Sequence, residues 1–156
     1  AEFDGRFIDN YNETVVIADN SFNSPEQLML TSFFSNLRQF TIGSDCFEKA
    51  ENFYLDGLHK LEHLVIGRRS FTLTKNRDII FFCHKRAGVF QVKNCSKLKT
   101  IQIGAFSFGD YHMFDLDNLP SLQSVHIGDF CFFETFDTVF TGKCIGGDIF
   151  HRSSST

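Results

Sequence analysis

The chain has 156 residues, of which 42% are apolar, enough for one domain with its own core. The formal net charge of −4 argues against a nucleic-acid binder of the usual basic kind, and the absence of an 18-residue apolar run predicts no membrane insertion. With 21 Phe and no Trp, Phe is predicted to be the main core material.

The first predicted element is the segment from Asn12 to Phe22, NETVVIADNSF, in which Val15 and Ile17 alternate with polar residues as in a half-buried strand. The same pattern returns in NLRQFTIGSDCF, KLEHLVIGRRSF, KLKTIQIGAFSF and SLQSVHIGDFCF. The repeat reads L-x-x-h-x-I-G-x-x-[SC]-F, where h is apolar, and its positions are numbered 1 to 11 from the leucine. Self-similarity of this kind predicts a stack of equivalent units.

Each unit is predicted to contain two short strands or extended segments. Positions 4 and 6 point inward from the first strand, and positions 3 and 5 point outward. The glycine at position 7 is predicted to let the chain turn off the strand. A second motif, F-x-h-x-x-h, also alternates, and helical spacing is not sustained. It occurs as Phe53, Leu55 and Leu58, as Phe90, Val92 and Cys95, and as Phe114, Leu116 and Leu119.

The repeat divides a single domain, 1–156, into units. Successive position-1 leucines are 24 residues apart except between Leu61 and Leu98, where 37 residues imply a 13-residue insertion. The last unit keeps only Phe140 of the second motif, which predicts the end of the stack and a flexible tail over 146–156. The predicted units are 12–36, which is degenerate, 37–60, 61–97 with the insertion, 98–121 and 122–145.

The pattern resembles the leucine-rich repeat superfamily, and within it the irregular class with I-G-x-x-[AS]-F units typified by the BspA-like proteins of bacteria and protists. The resemblance covers about residues 12 to 143. It implies a β-rich, right-handed solenoid of about five 24-residue repeats, with a parallel sheet on the concave side and short strands or extended segments on the convex side. It also implies a non-enzymatic module that binds protein or surface ligands, often in adhesion. Asp45, Arg69, Phe106 and Phe130 replace the family's asparagine ladder.

The outward strand positions are one candidate binding face. They are polar and mixed in charge, without the density of Tyr, Trp or Arg typical of an energetic centre. A solvated sheet and a weak binding face are both compatible with this composition. The candidate contacts are His63, Lys99, Gln102, Gln123 and His126.

An apolar patch at position 9 is a second candidate. Phe106 and Phe130 stand where other units have charged residues, so they would face water and, with Tyr111 and Phe133, mark a contact. The alternative is that the later units turn this position inward and the Phe side chains join the core.

The insertion lies between Phe71 and Phe90, in TLTKNRDIIFFCHKRAGV. One interpretation is a basic protrusion that binds an acidic protein partner. The other, which the sequence favours, is an extra strand from Asp78 to His84 that covers an edge, because DIIFFC would promote aggregation if exposed. The basic residues of this region are Arg68, Arg69, Lys75, Arg77, Lys85 and Arg86.

The five cysteines are predicted to be buried free thiols. Cys46 and Cys131 share the small position 10 and lie three units apart, too far to bond to each other. An odd number without framework spacing favours the cytoplasm, whereas the family resemblance favours the cell surface. Sequons at Asn12 and Asn94 leave glycosylation open.

No residue pattern indicates catalysis, a cofactor or a metal. HKLEH places His59 and His63 four residues apart, but the repeat puts the first in a turn and the second on a strand. Two hypotheses follow. The first is a surface recognition module for a protein or glycan. The second is an intracellular scaffold, an assembly subunit or the substrate-receptor part of a larger complex.

Overall fold

A computed structural model of the protein describes residues 10–23, 27–30, 34–73, 88–111, 113–129, 131–132 and 150–152. In these ranges the chain forms short β-strands and no α-helix. The strands are β1 (Thr14–Ile17), β2 (Gln27–Leu30), β3 (Gln39–Ile42), β4 (Asn52–Asp56), β5 (His63–Ile66), β6 (Val89–Lys93), β7 (Thr100–Ile103), β8 (Met113–Asp117), β9 (Ser124–Ile127) and β10 (Phe150–Arg152).

Up to β9, successive strands alternate between two parallel sheets. Sheet A has the order β1-β3-β5-β7-β9-β10, and sheet B has the order β2-β4-β6-β8. Every pairing is parallel. The prediction of a β-rich chain with parallel strands is therefore confirmed for the described part of the chain.

The register brings the position-6 residues into one row, because Ile42 pairs with Ile66, Ile66 with Ile103, and Ile103 with Ile127. All four are buried, as are their position-4 neighbours. In sheet B the register aligns Phe53, Phe90 and Phe114 in the same way. The inward side chains of the two sheets form one continuous core.

Phenylalanine rings form two stacks inside this core. The position-11 rings of Phe22, Phe47, Phe71, Phe108 and Phe132 are stacked with centroids 4.7 to 5.7 Å apart. The sheet-B rings stack at 4.8 and 4.9 Å, and rings of the two stacks meet edge to face. Each aromatic pair contributes about 0.5 to 1.5 kcal/mol beyond area burial, so the predicted role of Phe is confirmed in the described core.

The glycine that follows β3, β5, β7 and β9 has a different physical reason from the predicted one. Gly43, Gly67, Gly104 and Gly128 do not have positive φ. They lie instead where adjacent turns almost touch: a Cβ on Gly67 would come within 2.6 Å of the Gly43 carbonyl carbon and the Ser44 nitrogen. Glycine is required here because the backbones pack against each other, and a side chain would separate the units.

The turn itself is made by left-handed residues at positions 9 and 11, including Asp45 (φ 57°) and Phe47 (φ 53°). Each such non-glycine residue costs roughly 1 to 2 kcal/mol. In this conformation the position-9 N–H points to the next unit and the position-11 N–H to the preceding unit. Asp45 donates to the Arg68 carbonyl (2.9 Å), and Phe71 donates to the Cys46 carbonyl (2.9 Å). These bonds between units, together with ring burial, offset the strain.

The C-terminal segment is described over three residues. Phe150–Arg152 forms β10 and pairs in parallel with β9, and the rest of the tail predicted over 146–156 lies outside the described residues. An edge strand presents unpaired N–H and C=O groups, which explains why a following segment is added to it.

Candidate binding face

The outward surface of β1, β3, β5, β7 and β9 consists of two rows of side chains, from positions 3 and 5 of each unit. None of these residues is Asp, Glu, Lys or Arg, and all are exposed or half-buried. This surface is called the A face below. Its members are Thr14, Val16, Gln39, Thr41, His63, Val65, Thr100, Gln102, Ser124 and His126.

A row of ion pairs borders the A face at position 2. Arg38 lies 3.9 Å from a Glu13 carboxylate oxygen and 3.4 Å from one of Glu62, and Lys99 lies 2.9 Å from the other Glu62 oxygen. The hydrogen bond from Lys99, with its charge, holds the pKa of Glu62 below its usual range. Lys99 is therefore paired with Glu62. Gln123, the next residue of this row, is uncharged and exposed.

The two candidate histidines lie on the A face in different rows. His63 is at position 3 of β5, and its Nδ1 is 2.8 Å from the Thr100 hydroxyl oxygen. His126 is at position 5 of β9, beside Gln102 in the register. Within the described residues no three His, Cys, Asp or Glu side chains are grouped so that they could hold a metal ion.

The predicted apolar patch at position 9 is wrong in one member. Tyr111 is completely buried: its ring packs edge to face on Phe108, and its hydroxyl donates to the Ala50 carbonyl. Phe106 is half-buried and so lies between the two alternatives. Phe130 and Phe133 lie outside the described residues. The repeat register could not place Tyr111, because that residue follows the closing Phe and precedes the second motif.

The basic region is described only at its borders. Arg68 and Arg69 are exposed, and Arg69 forms an ion pair with Asp45 at 2.9 Å, between equivalent positions of neighbouring units. The described chain stops at Leu73, which is half exposed, and resumes at the buried Gly88. The candidates Lys75, Arg77, Lys85 and Arg86 lie outside the described residues, so both interpretations of the insertion remain predictions.

A ladder of hydroxyl and thiol groups at position 10 joins neighbouring units. The Ser70 hydroxyl donates to the Gly43 carbonyl (2.9 Å) and accepts from the Cys46 amide (3.2 Å). The Ser107 hydroxyl donates to the Gly67 carbonyl (2.7 Å), and the Cys131 thiol to that of Gly104 (3.1 Å). From the sequence, position 10 was predicted only to be small. Every unit has Ser or Cys there and none has Ala, which would have indicated a hydrogen-bonding side chain.

The three described cysteines, Cys46, Cys95 and Cys131, are buried free thiols, as predicted. Burial raises the pKa of Cys46, and it raises that of Cys95 to about 11. Both thiols are therefore protonated at neutral pH. Cys83 and Cys144 lie outside the described residues.

The sequon at Asn94 is poorly placed for a glycan. Its amide nitrogen donates to a carboxylate oxygen of Asp56 (2.9 Å), and its amide oxygen accepts from Asn118 (2.8 Å). The central residue of the sequon, Cys95, is buried. A sugar would be attached to the same amide nitrogen that donates to Asp56.

The outer face of sheet B differs from the A face because it has charged side chains. Lys93 lies 3.7 Å from Asp56, and Gln91 donates to Asp115 at 2.8 Å. Asp117 is exposed beside them. Lys93 and Gln91 of β6 are therefore paired with carboxylates on the two neighbouring strands.

Comparison of the chain with models of known protein families, with curated proteins and with solved structures finds no match. In the described part of the chain, no helix has the length and apolar character needed to cross a membrane.

Proposed function

We propose that the chain is a non-enzymatic recognition module of the leucine-rich-repeat type, which binds a protein or another surface ligand through the A face. In this proposal the alternating strands are the turns of a right-handed solenoid of about five repeats. The equivalence of the aligned residues in sheet A, at steps of 24 or 37 residues, supports the repeat. The handedness follows from the strong preference of parallel crossover connections.

The observation that carries the function is the contrast between the two outer faces. The A face presents uncharged groups that both donate and accept hydrogen bonds, and its bordering charges are paired with one another. The outer face of sheet B uses its charges and amides internally. Docking on the A face therefore requires no desolvation of an unpaired charge, which favours it as the contact surface.

The test uses paired variants of the whole chain. The immobilised protein is challenged with an extract of its source, and retained macromolecules are identified by mass spectrometry and sugar analysis. We expect Gln39→Glu with Gln102→Glu to release the ligand, because two buried charges would enter the contact. Gln91→Glu, on sheet B, should retain it. Equal retention by all three proteins contradicts the proposal.

A second candidate function is an intracellular scaffold or assembly subunit, favoured by the buried free thiols and by the engaged Asn94 amide. Thiol counting by mass spectrometry on protein from its native source separates the two. Five free thiols with an unmodified Asn94 support the scaffold. A disulfide or a sugar at Asn94 supports the surface module.

A further inference from the structure

We propose that the ligand of the A face is a neutral polysaccharide with an extended backbone, which lies across the strands of sheet A. The inference rests on the proposed function, since it names the chemical class of the ligand at the same surface. It follows from three properties of the face: the kind of groups, their spacing and their electrical neutrality.

The groups on the face match hydroxyls. Thr, Ser, Gln and neutral His each offer both a donor and an acceptor, and a sugar hydroxyl does the same. Gln39 and Gln102 are exposed. Thr41 is in the same row as Gln102, with Val65 between them. Val16 and Val65 add apolar surface against which the C–H groups of a pyranose ring can pack. Val16 is 50% exposed.

The spacing of the groups is regular. Neighbouring parallel strands lie about 4.8 Å apart, so each row presents one side chain at that interval, and the two rows are separated by about 6.6 Å. The length of one pyranose unit in an extended polysaccharide is similar to the strand spacing. A chain of such units can therefore meet equivalent side chains on β3, β5, β7 and β9, whose residues are paired in register.

The charges that border the face disfavour an acidic ligand. Arg38 and Lys99, the cations at position 2, are both paired with Glu62. A sulfated or carboxylated polysaccharide would have to break these pairs to gain a cation. The face also lacks the Trp, Tyr and Arg that supply most of the energy in protein interfaces.

Affinity electrophoresis tests the proposal directly. The folded chain is run through native gels that contain mixed-linkage β-glucan, galactomannan, xyloglucan, polygalacturonate or heparin. We expect at least one of the three neutral polymers to retard the wild-type protein, with little change on addition of salt, and neither of the anionic polymers to do so. Retardation by the anionic polymers alone, or by none of the five, overturns the inference.

Two alanine variants locate the site. Gln39→Ala with Gln102→Ala should weaken binding about tenfold, since two hydrogen-bonding side chains are lost. Gln91→Ala, the matched change on sheet B, should bind like the wild type. Circular dichroism verifies that all variants are folded. If the double variant is retarded as strongly as the wild type, the A face is not the polysaccharide site.

Failure of this inference is distinguishable from failure of the proposed function. A protein retained from the source extract, released by the charged A-face variant and insensitive to all neutral polymers, overturns the polysaccharide but leaves the recognition module. If the wild type and both charged variants retain the same ligand equally, the proposal that the A face is a recognition surface is contradicted.

Discussion

The two sheets contain strands of the same chain in the same parallel order, yet their strands end differently. In sheet A, β3, β5, β7 and β9 are each followed by a glycine of ordinary φ and only later by left-handed residues. In sheet B, β4, β6 and β8 are followed at once by a left-handed residue: Gly57 (φ 73°), Asn94 (φ 55°) or Asn118 (φ 52°). Close approach of backbones dictates the residue in the first case, and backbone conformation dictates it in the second.

The outer faces differ as well. Sheet A presents uncharged side chains with a border of paired charges, whereas sheet B has Asp56, Lys93, Asp115 and Asp117 on its face. Both sheets share one core and one register. Stacking therefore constrains the inward and turn positions, whereas the outward positions differ between the two sheets.

The largest expected effect separates inward from outward positions on one strand. Ile103→Asp places a charge in the core row between Ile66 and Ile127 and should abolish folding, because an unpaired buried carboxylate is strongly unfavourable. Gln102→Asp, one residue away and exposed, should change the free energy of unfolding by less than about 1 kcal/mol. Urea unfolding followed by circular dichroism measures both. Similar losses at the two positions contradict the register of β7.

A smaller effect separates the two kinds of strand end. Gly67→Ala should destabilise the chain by roughly 1 to 3 kcal/mol, because its Cβ would overlap the Gly43 and Ser44 backbone. Gly57→Asn should be tolerated, since Asn94 and Asn118 already adopt the left-handed conformation at the equivalent places. The comparison is read as the difference in urea midpoint. A larger loss of stability for Gly57→Asn than for Gly67→Ala would contradict the view that close backbone contact dictates Gly67 and backbone conformation dictates Gly57.

The hydroxyl ladder gives a prediction of similar or slightly smaller size. Ser70→Ala leaves the Gly43 carbonyl and the Cys46 amide without their partner and should cost about 1 to 3 kcal/mol. Ser70→Cys, the residue found at position 10 in two other units, should recover part of this loss. Thermal unfolding of the two variants measures the difference. Equal stability of the Ala and Cys variants would show that this position requires only a small side chain.

The core was predictable because its residues repeat in identity as well as in spacing. The isoleucines at position 6 and the Phe at position 11 reveal the inward rows before any coordinates are known. The reason for the glycine was not predictable, since a left-handed turn and a close backbone contact favour the same residue. Tyr111 was missed because it lies between the two motifs, and the equivalent residue of the 37–60 unit is the much smaller Ala50.

The candidate face was predictable in outline for the same reason. Strand alternation identified His63, Gln102 and His126 as outward residues. The pairing of Lys99 with Glu62 was visible in principle, because both stand at position 2, although the insertion places them 37 residues apart. What alternation alone could not reveal is that these border charges neutralise one another, which depends on side-chain distances across the sheet.

The smallest predicted effect concerns Cys95, which lies two residues after β6. It is buried, as are Leu58 and Leu119 at the equivalent positions after β4 and β8. Its folded pKa of about 11 is raised above the ordinary value of 9.0, mainly by burial. A raised pKa means that the stabilisation is complete below pH 9 and is lost as the pH rises toward 11. We expect a loss of about 1 kcal/mol at pH 10 from this group.

Urea unfolding at pH 8 and pH 10, in reductant, measures this loss of stability. Cys95→Ala lowers stability at both pH values, but the drop between them should be smaller than in the wild type, because only the thiol is removed and the other ionisable groups are common to both proteins. An equal drop in the two proteins would mean that Cys95 is not desolvated in the folded chain.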